Sequence, residues 1–153
     1  MTNNDILKRL RFTFDYNDAQ MVAIFKLADY EVEVEEMTAW LRKDNHPDYL
    51  ELIDKDLAIF LNGLINEKRG KREGPQPTPE KRLTNNLILK KLKIALNLKT
   101  DDIIAVFALV DRKITMPVLN SFLRNPKQDQ YRICQDQYLR WFLSGLQAKY
   151  RSK

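Results

Sequence analysis

The feature that most constrains this chain is an internal repeat. Shifting the sequence by 82 residues aligns residues 1–69 with residues 83–151 without a gap, and 21 of the 69 aligned pairs are identical. The stretch T-N-N-D-I-L-K-R-L from Thr2 returns as T-N-N-L-I-L-K-K-L from Thr84. The chain is therefore expected to fold as two related units.

The segment between the two copies has the composition of a linker. Residues 70–82 contain two glycines and three prolines, which do not continue a helix. We therefore predict a first helical repeat over 1–69, a Gly- and Pro-containing basic linker over 70–82, and a second helical repeat over 83–151.

Apolar residues recur at helical spacing in each copy, and none alternate with the period of a strand. In the first copy this predicts helices from Thr2 to about Asp15, over 18–27, over 33–43, and from Asp54 onward, with Thr2 and Asp54 as N-caps. The second copy repeats the pattern, with its third helix over 116–125. The predicted fold is all-α: a tandem duplication of a four-helix unit, about eight helices, packed with pseudo-twofold symmetry.

Two glycines mark a close approach between helices. Gly63 and Gly145 occupy matching positions on the apolar face of the fourth helix, where glycine costs roughly 0.5–1 kcal/mol relative to alanine. We expect the fourth helix, or the first helix, of the other copy to cross there. Phe12 and Ile94 lie off their own apolar stripes, so we expect them to be buried between the copies.

The two copies differ in charge. Residues 1–70 carry 9 basic and 14 acidic side chains, residues 71–82 carry 4 and 2, and residues 83–153 carry 13 and 5. The segments therefore have net charges of −5, +2 and +8, in agreement with +5 for the chain. An acidic partner is expected at the second half and the linker. The oppositely charged halves also predict self-association.

No stretch of the sequence suits a membrane. The longest apolar run, Ile103 to Val110, is far shorter than the ~20 residues that span a bilayer. The N-terminus lacks the charged-then-apolar order of a signal peptide. The single cysteine, Cys134, excludes an internal disulfide and a cysteine metal cluster. We expect a cytoplasmic protein with no membrane partner.

The sequence offers no catalytic set. His46 precedes Pro47 in a predicted loop and aligns with Gln128, while Cys134 aligns with Leu52, which marks a small apolar site rather than a nucleophile. There is no glycine-rich phosphate loop, metal-ligand spacing or dinucleotide motif. We expect no enzyme activity, no cofactor and no metal site.

Some polar positions are kept in both copies beyond what capping requires. A cap needs one residue, yet Thr-Asn-Asn is kept whole and basic residues follow it in both first helices. An amide-rich helix N-terminus with nearby cations suits a phosphate or a carboxylate; the alternative is helix caps and a solvated helix face. The candidate ligand-binding residues are Asn3, Asn4, Lys8, Asn85, Asn86, Lys90, Lys91 and Lys93.

Nucleic acid is a second candidate ligand. The second and third helices of the second copy, over 101–110 and 116–125, have the order of a helix-turn-helix, but the turn between them is long and lacks glycine. A backbone-driven contact through the second copy and the linker is the form we expect; the alternative is a charged, solvated linker. The candidate nucleic-acid-binding residues are Lys68, Arg69, Lys71, Arg72, Lys81, Arg82, Arg112, Lys113, Asn120 and Arg124.

Ordered motifs carry a family resemblance. T-N-N-D-I-L-K-R-L-R is followed by D-A-Q-M-V-A-I-F-K-L-A-D, A-W-L-R-K and F-L-N-G-L-I, and the series is repeated after a proline-containing linker. This pattern closely resembles the YehS-like family of bacterial proteins over nearly the whole chain. The resemblance implies a small cytosolic bacterial protein with a tandem pair of a domain of unknown function, and it supplies no active-site residues.

A non-catalytic binding or regulatory module is the function that these patterns favour. The first hypothesis is a protein partner; the alternative is DNA or RNA, bound through the basic second repeat and the linker. We do not expect identical roles for the two copies, because Leu87 replaces Asp5 and the acids of the third helix are missing from the second copy.

Overall fold

The computed structural model describes residues 1–151, and this part of the chain contains eight helices and no strand. The first repeat holds α1 (Asn3–Phe14), α2 (Asp18–Leu27), α3 (Val34–Leu41) and α4 (Asp54–Arg69). The second repeat holds α5 (Asn85–Ala95), α6 (Thr100–Ala108), α7 (Met116–Leu123) and α8 (Asp136–Tyr150). The predicted all-α duplication of a four-helix unit is confirmed.

The first helix of each repeat starts at a threonine cap, as the repeated motif predicts. Thr2 caps α1 and Thr84 caps α5, and each hydroxyl accepts a hydrogen bond from the backbone N–H three residues later at 3.1 Å. The prediction that Asp54 is a cap is wrong, because Asp54 is the first residue of α4. α3 and α7 end two residues earlier than predicted, at Leu41 and Leu123, where the backbone becomes extended.

Matching left-handed residues follow the first two helices of each repeat. Asp15 and Asn97 have φ values of 55° and 54°, while Asp29 and Asp111 have 58° and 57°. Short polar side chains tolerate this conformation better than other non-glycine residues. The turn therefore explains why Asp29 and Asp111 are kept in both copies.

The two repeats pack in a crossed arrangement. α1 of the first repeat packs against α8 of the second, and α5 of the second packs against α4 of the first. Each fourth helix therefore covers its own repeat and also the first helix of the other. The buried apolar residues of both repeats form one continuous core from Ile6 to Leu146. This reciprocal packing is the predicted pseudo-twofold arrangement.

Polar side chains repeat the same reciprocity. Arg9 Nη2 donates to Ser144 Oγ at 2.8 Å, and at the matching position Lys91 Nζ donates to Asn62 Oδ1 at 2.7 Å. Both contacts join a first helix to the fourth helix of the other repeat. The basic character of positions 9 and 91 is thus explained by packing between the repeats.

Arginines at the ends of the fourth helices cross to the other repeat as well. Arg151 Nη1 donates to the carbonyl oxygen of Phe12 at 2.7 Å, and Arg69 Nη1 donates to that of Ile94 at 3.4 Å. Both carbonyls lie in the last turn of a first helix, where a cation is favourable. Phe12 and Ile94 remain 48% and 44% exposed, so the expectation that they are buried is wrong.

Gly63 and Gly145 do mark close approaches, but within each repeat. A Cβ atom at Gly63 would overlap the carbonyl oxygen of Ile24 in α2, and one at Gly145 would overlap that of Val106 in α6. The expectation that the other copy crosses there is wrong. Helical spacing places a glycine on a face but does not identify the helix that faces it.

Gly63→Ala tests this close approach. Alanine is favoured over glycine in a helix interior by about 1 kcal/mol, but here the methyl group would push α4 away from α2. We expect a net loss of about 2 kcal/mol or more in the free energy of unfolding, measured by urea titration followed by circular dichroism. Gly145→Ala is expected to behave alike, and an unchanged or raised stability in both variants would contradict the assignment.

Candidate functional site

The second asparagine of each Thr-Asn-Asn motif is a buried clasp. Asn4 is 1% exposed, and its Nδ2 donates to the carbonyl oxygens of Trp40 and Leu50 at 3.0 and 2.8 Å. Its Oδ1 accepts from the backbone N–H of Leu52 at 3.0 Å. One side chain thus joins α1 to the end of α3 and to the segment that leads into α4.

Asn86 makes the same three bonds in the second repeat. Its Nδ2 donates to the carbonyl oxygens of Phe122 and Arg132 at 3.0 and 2.8 Å, and its Oδ1 accepts from the N–H of Cys134 at 2.9 Å. The Nδ2 and Oδ1 atoms of Asn4 and Asn86 all form hydrogen bonds with backbone atoms inside the fold. The structure therefore gives these two residues a structural role, and a ligand role for them stays a prediction.

The first asparagine of each motif donates hydrogen bonds to residues at the start of the fourth helix. Asn3 Nδ2 donates to the carbonyl oxygen of Leu52 at 3.1 Å and to Asp54 Oδ1 at 2.7 Å. Asn85 makes the matching bonds to Cys134 and Asp136 at 3.0 and 2.7 Å. Both amides are engaged in the fold, so the structure gives these candidates a structural role.

The two aspartates also connect the repeats. Asp54 Oδ2 accepts from the backbone N–H of Leu83 at 2.9 Å, and Asp136 Oδ2 accepts from the amino group of Met1 at 2.9 Å. The hydrogen bond from Asn85 and the bond from the Met1 amino group lower the pKa of Asp136. Each carboxylate thus holds its own repeat's asparagine and the start of the other repeat.

The candidate lysines do not form one site. Lys91 lies in the contact between the repeats, where its Nζ is 3.1 Å from Glu80 Oε1 as well as bonded to Asn62. Glu80 Oε1 is buried and has no hydrogen-bond partner, so its contact with Lys91 is an ion pair by distance only. Lys91 thus has a structural role, and a ligand role for it stays a prediction. Lys90 is exposed, and Lys93 is partly buried in the last turn of α5.

Lys8 borders two clefts beside α1. One cleft, of about 360 Å³, is also lined by Asp15 and Arg151, and the other, of about 350 Å³, by Asp5 and Asp44. The first cleft lies at the C-terminal half of α1, where the helix dipole opposes an anion. Lys8, Arg11 and Arg151 outnumber Asp15 in the first cleft, and Lys8 and Lys43 balance Asp5 and Asp44 in the second. A ligand role for Lys8 stays a prediction.

The predicted linker cations are dispersed. Lys71 Nζ pairs with Asp29 at 3.0 Å, and Lys68 Nζ lies 3.6 Å from Glu67 and 4.5 Å from the centre of the Phe14 ring. Arg69 is bonded to α5, as described above. The remaining exposed linker cations are Arg72, Lys81 and Arg82.

The candidate basic residues around α7 are close to one another in the chain. Arg112 stacks on the Trp141 ring at 4.7 Å from its centre, and Lys113, Asn120 and Arg124 are exposed before and along α7. None of these residues forms an ion pair within residues 1–151. They remain the candidates for an electrostatic contact.

Each repeat also has a groove beside its third helix. After α3 the chain turns back, and the N–H of Leu50 donates to the carbonyl oxygen of Ala39 at 3.2 Å. After α7 the N–H of Arg132 donates to that of Ser121 at 3.1 Å. The same backbone path therefore builds a groove at matching positions in both repeats.

The two grooves differ in charge. The acidic groove has a volume of about 460 Å³ and is lined by Val34, Glu35, Thr38, Ala39, Arg42 and Asp48. The basic groove has a volume of about 260 Å³ and is lined by Pro117, Val118, Ser121, Gln130 and Arg132. At aligned positions proline and glutamine replace the two acids, and Arg132 replaces Leu50. Duplicated geometry with divergent charge makes the grooves the best candidate site.

The groove residues do not form a motif in the sequence. Glu35 follows the start of α3, where acids suit the helix dipole, and Asp48 lies in a loop without periodicity. The signal that could have found them is the alignment of the two copies, where Gln130 replaces Asp48 and Arg132 replaces Leu50 within three residues.

Reactive side chains are arranged as structural residues. The Nδ1 atom of His46 accepts a hydrogen bond from the N–H of Asp48 at 3.0 Å in the loop after α3. Burial, together with the charge of Asp136, raises the pKa of the Cys134 thiol to about 12. Within residues 1–151 no group of three or more His, Cys, Asp or Glu side chains has a metal-binding arrangement. In the same range, every helix is too short or too polar to cross a membrane.

The fold and the grooves define an all-α protein made of two copies of one helical unit, each with its own groove. A family model described as "Protein of unknown function (DUF1456)" matches residues 3–70 and again residues 85–152, and the chain belongs to this family. The chain is 42% identical over 154 residues to the "Uncharacterized protein YehS" of Escherichia coli strain K12, a match that covers 100% of this chain and 99% of that protein. The resemblance seen in the motifs is confirmed. No solved structure shows significant similarity to the chain.

The asparagine clasp predicts a large stability effect. Asn4→Ala and Asn86→Ala each leave two carbonyl oxygens and one N–H without their partner, so we expect each to lower the free energy of unfolding by about 3 kcal/mol. Urea titration measures the effect, with Lys8→Ala as a surface control expected to stay within about 0.5 kcal/mol of the parent chain. Asparagine variants as stable as the control would contradict the clasp.

Cys134 predicts protection from alkylation. Because the thiol is 1% exposed and its pKa is raised to about 12, almost none of it is thiolate at neutral pH. We expect iodoacetamide to modify the folded chain at least about 100-fold more slowly than the urea-unfolded chain, followed by mass spectrometry. Equal rates in the two states would show that Cys134 is accessible and reactive.

Proposed function

We propose that this chain is a non-catalytic protein-interaction module of the bacterial cytoplasm that binds partners through its acidic and basic grooves. The observation that carries the proposal is the matched pair of grooves with opposite charge. The asparagine clasps hold the same loop path in both repeats, and the side chains on that path give the two grooves different charges for a binding partner.

Exposed apolar side chains beside the grooves support a protein ligand. Val34, in the lining of the acidic groove, is 48% exposed, and Leu50, whose N–H donates to Ala39 of that groove, is 44% exposed. Ile133 follows Arg132 of the basic groove in the chain and is 74% exposed. Apolar residues flanked by charges are typical of protein interfaces, where burial supplies affinity and the charged rim supplies specificity. The few titratable groups inside the fold are engaged as hydrogen-bonded or buried residues, which favours binding over catalysis.

Affinity capture with a groove variant tests the proposal. In Glu35→Lys/Asp48→Lys the acidic groove becomes basic, and Glu73→Lys/Asp101→Lys makes the same change in net charge at exposed sites away from the grooves. In a nuclease-treated bacterial lysate, the parent chain and the control should retain the same partner protein. The groove variant should lose it.

Two outcomes would contradict the interaction module. One is the absence of any reproducible partner for the parent chain, counting a second copy of the chain as a partner. The other is a partner retained equally by the acidic-groove variant and by Arg124→Glu/Arg132→Glu, which reverses the charge of the basic groove.

Nucleic acid binding is the second candidate, favoured by the unpaired cations around α7. With about four phosphate contacts, the affinity for generic DNA or RNA should fall about 100-fold between 50 and 200 mM salt, measured by mobility shift. Lys113→Ala/Arg124→Ala should weaken this binding more than Lys81→Ala/Arg82→Ala. No shift at the lower salt concentration would exclude this function.

A further inference from the structure

The acidic and basic grooves are complementary surfaces carried by one chain. The acidic groove presents Glu35 and Asp48 beside one cation, Arg42, and Glu33 and Glu36 are exposed on either side of Glu35. The basic groove presents Arg132, with Arg124 and Lys127 exposed between α7 and that residue. Among residues 1–151 none of these charges has an ion-pair partner. The acidic groove therefore has carboxylates without cationic partners, and the basic groove has cations without acidic partners.

An exposed isoleucine accompanies this charge difference. Ile133 follows Arg132 directly and, at 74% exposure, is the most exposed large apolar side chain of the described residues. The first repeat has Glu51 at the aligned position. The acidic groove is the larger of the two, and Val34 and Ala39 contribute apolar surface to its lining. An exposed apolar side chain is thus next in the chain to Arg132 of the basic groove, and the acidic groove has apolar residues in its lining.

We propose that the basic groove of one molecule docks onto the acidic groove of a second copy of this chain. In this contact Ile133 of one copy covers the apolar lining of the acidic groove, and Arg132 faces Glu35 and Asp48 of the other copy. The inference rests on the proposed interaction function and names its partner.

A second copy fits for two reasons. Identical grooves would meet like charges in such a contact, and the divergence of the two repeats replaces this repulsion with attraction. Every solution of the chain also contains the complementary groove at equal concentration.

The arrangement dictates the form of the assembly. Each molecule carries one acidic and one basic groove, so the contact is heterologous and leaves a groove of each sign open at the ends. Association should therefore rise continuously with concentration. Because the charges are exposed, it should also weaken as salt screens them.

Analytical ultracentrifugation of the full chain tests the inference. At about 10 mM salt the weight-average mass should rise with concentration to at least about twice that of the monomer, and at about 1 M salt, where the screening length is about 3 Å, it should return to the monomer value. Ile133→Ser should weaken the association about tenfold. A monomeric parent chain at every concentration in low salt would overturn the proposal.

Reciprocal charge reversal gives the sharper test. Glu35→Lys/Asp48→Lys has two basic grooves and Arg124→Glu/Arg132→Glu has two acidic ones, so each variant alone should remain monomeric. Mixed in equal amounts at low salt, the two variants should associate again. Failure of the mixture to associate would overturn the proposed pairing, even if the parent chain self-associates.

Two control variants have the same net charge as the groove variants but leave the grooves unchanged. Glu73→Lys/Asp101→Lys and Lys81→Glu/Arg82→Glu change net charge as the two groove variants do, and both should associate like the parent chain. Loss of association in these controls would assign it to net charge and not to the grooves. A monomeric parent chain that still captures a groove-dependent protein from lysate would overturn self-docking while leaving the interaction module intact.

Discussion

The crossed packing of each fourth helix against the first helix of the other repeat is the constraint on which the structure depends. A four-helix unit of about 70 residues buries too little apolar surface to be more than marginally stable alone. Here α4 completes the core of its own repeat and also covers α5, while α8 does the same for α1. The linker only has to connect two units that already interlock.

The Thr-Asn-Asn motif shows how the repeat unit sustains this arrangement. Thr2 and Thr84 start the first helices, Asn4 and Asn86 tie the third helix and the following loop to them, and Asn3 and Asn85 orient the aspartates at the start of the fourth helices. Buried side chains that replace several backbone hydrogen bonds cannot vary freely. The groove charges are under no such constraint, so the loops after α3 and α7 keep one path and carry different side chains. This divergence on a fixed backbone is the physical basis of the proposed binding function.

Much of the fold was predictable because apolar positions that recur in both copies identify the core of the repeat unit. Helix α2 occupies the predicted residues, and the fourth helices begin where predicted, since apolar spacing and caps are local properties. The helix that faces Gly63 was not predictable, because a pattern on one helix carries no information about its neighbour. The structural role of Asn4 was missed for a related reason: its partners lie 36 to 48 residues away and are backbone atoms, which no side-chain motif reveals. The grooves were missed because they depend on the path of an irregular loop.

Each repeat contains one tryptophan, Trp40 in α3 and Trp141 in α8, and this allows a direct test of the interlocked core. Trp141→Phe leaves a reporter in the first repeat, and Trp40→Phe leaves one in the second. In each variant, urea unfolding followed by tryptophan fluorescence is compared with circular dichroism of the whole chain. Interdependent repeats predict one transition, with coincident fluorescence and dichroism curves in both variants. Dichroism curves with two steps, each matched by the fluorescence of only one repeat, would show that the repeats fold independently and would contradict this account.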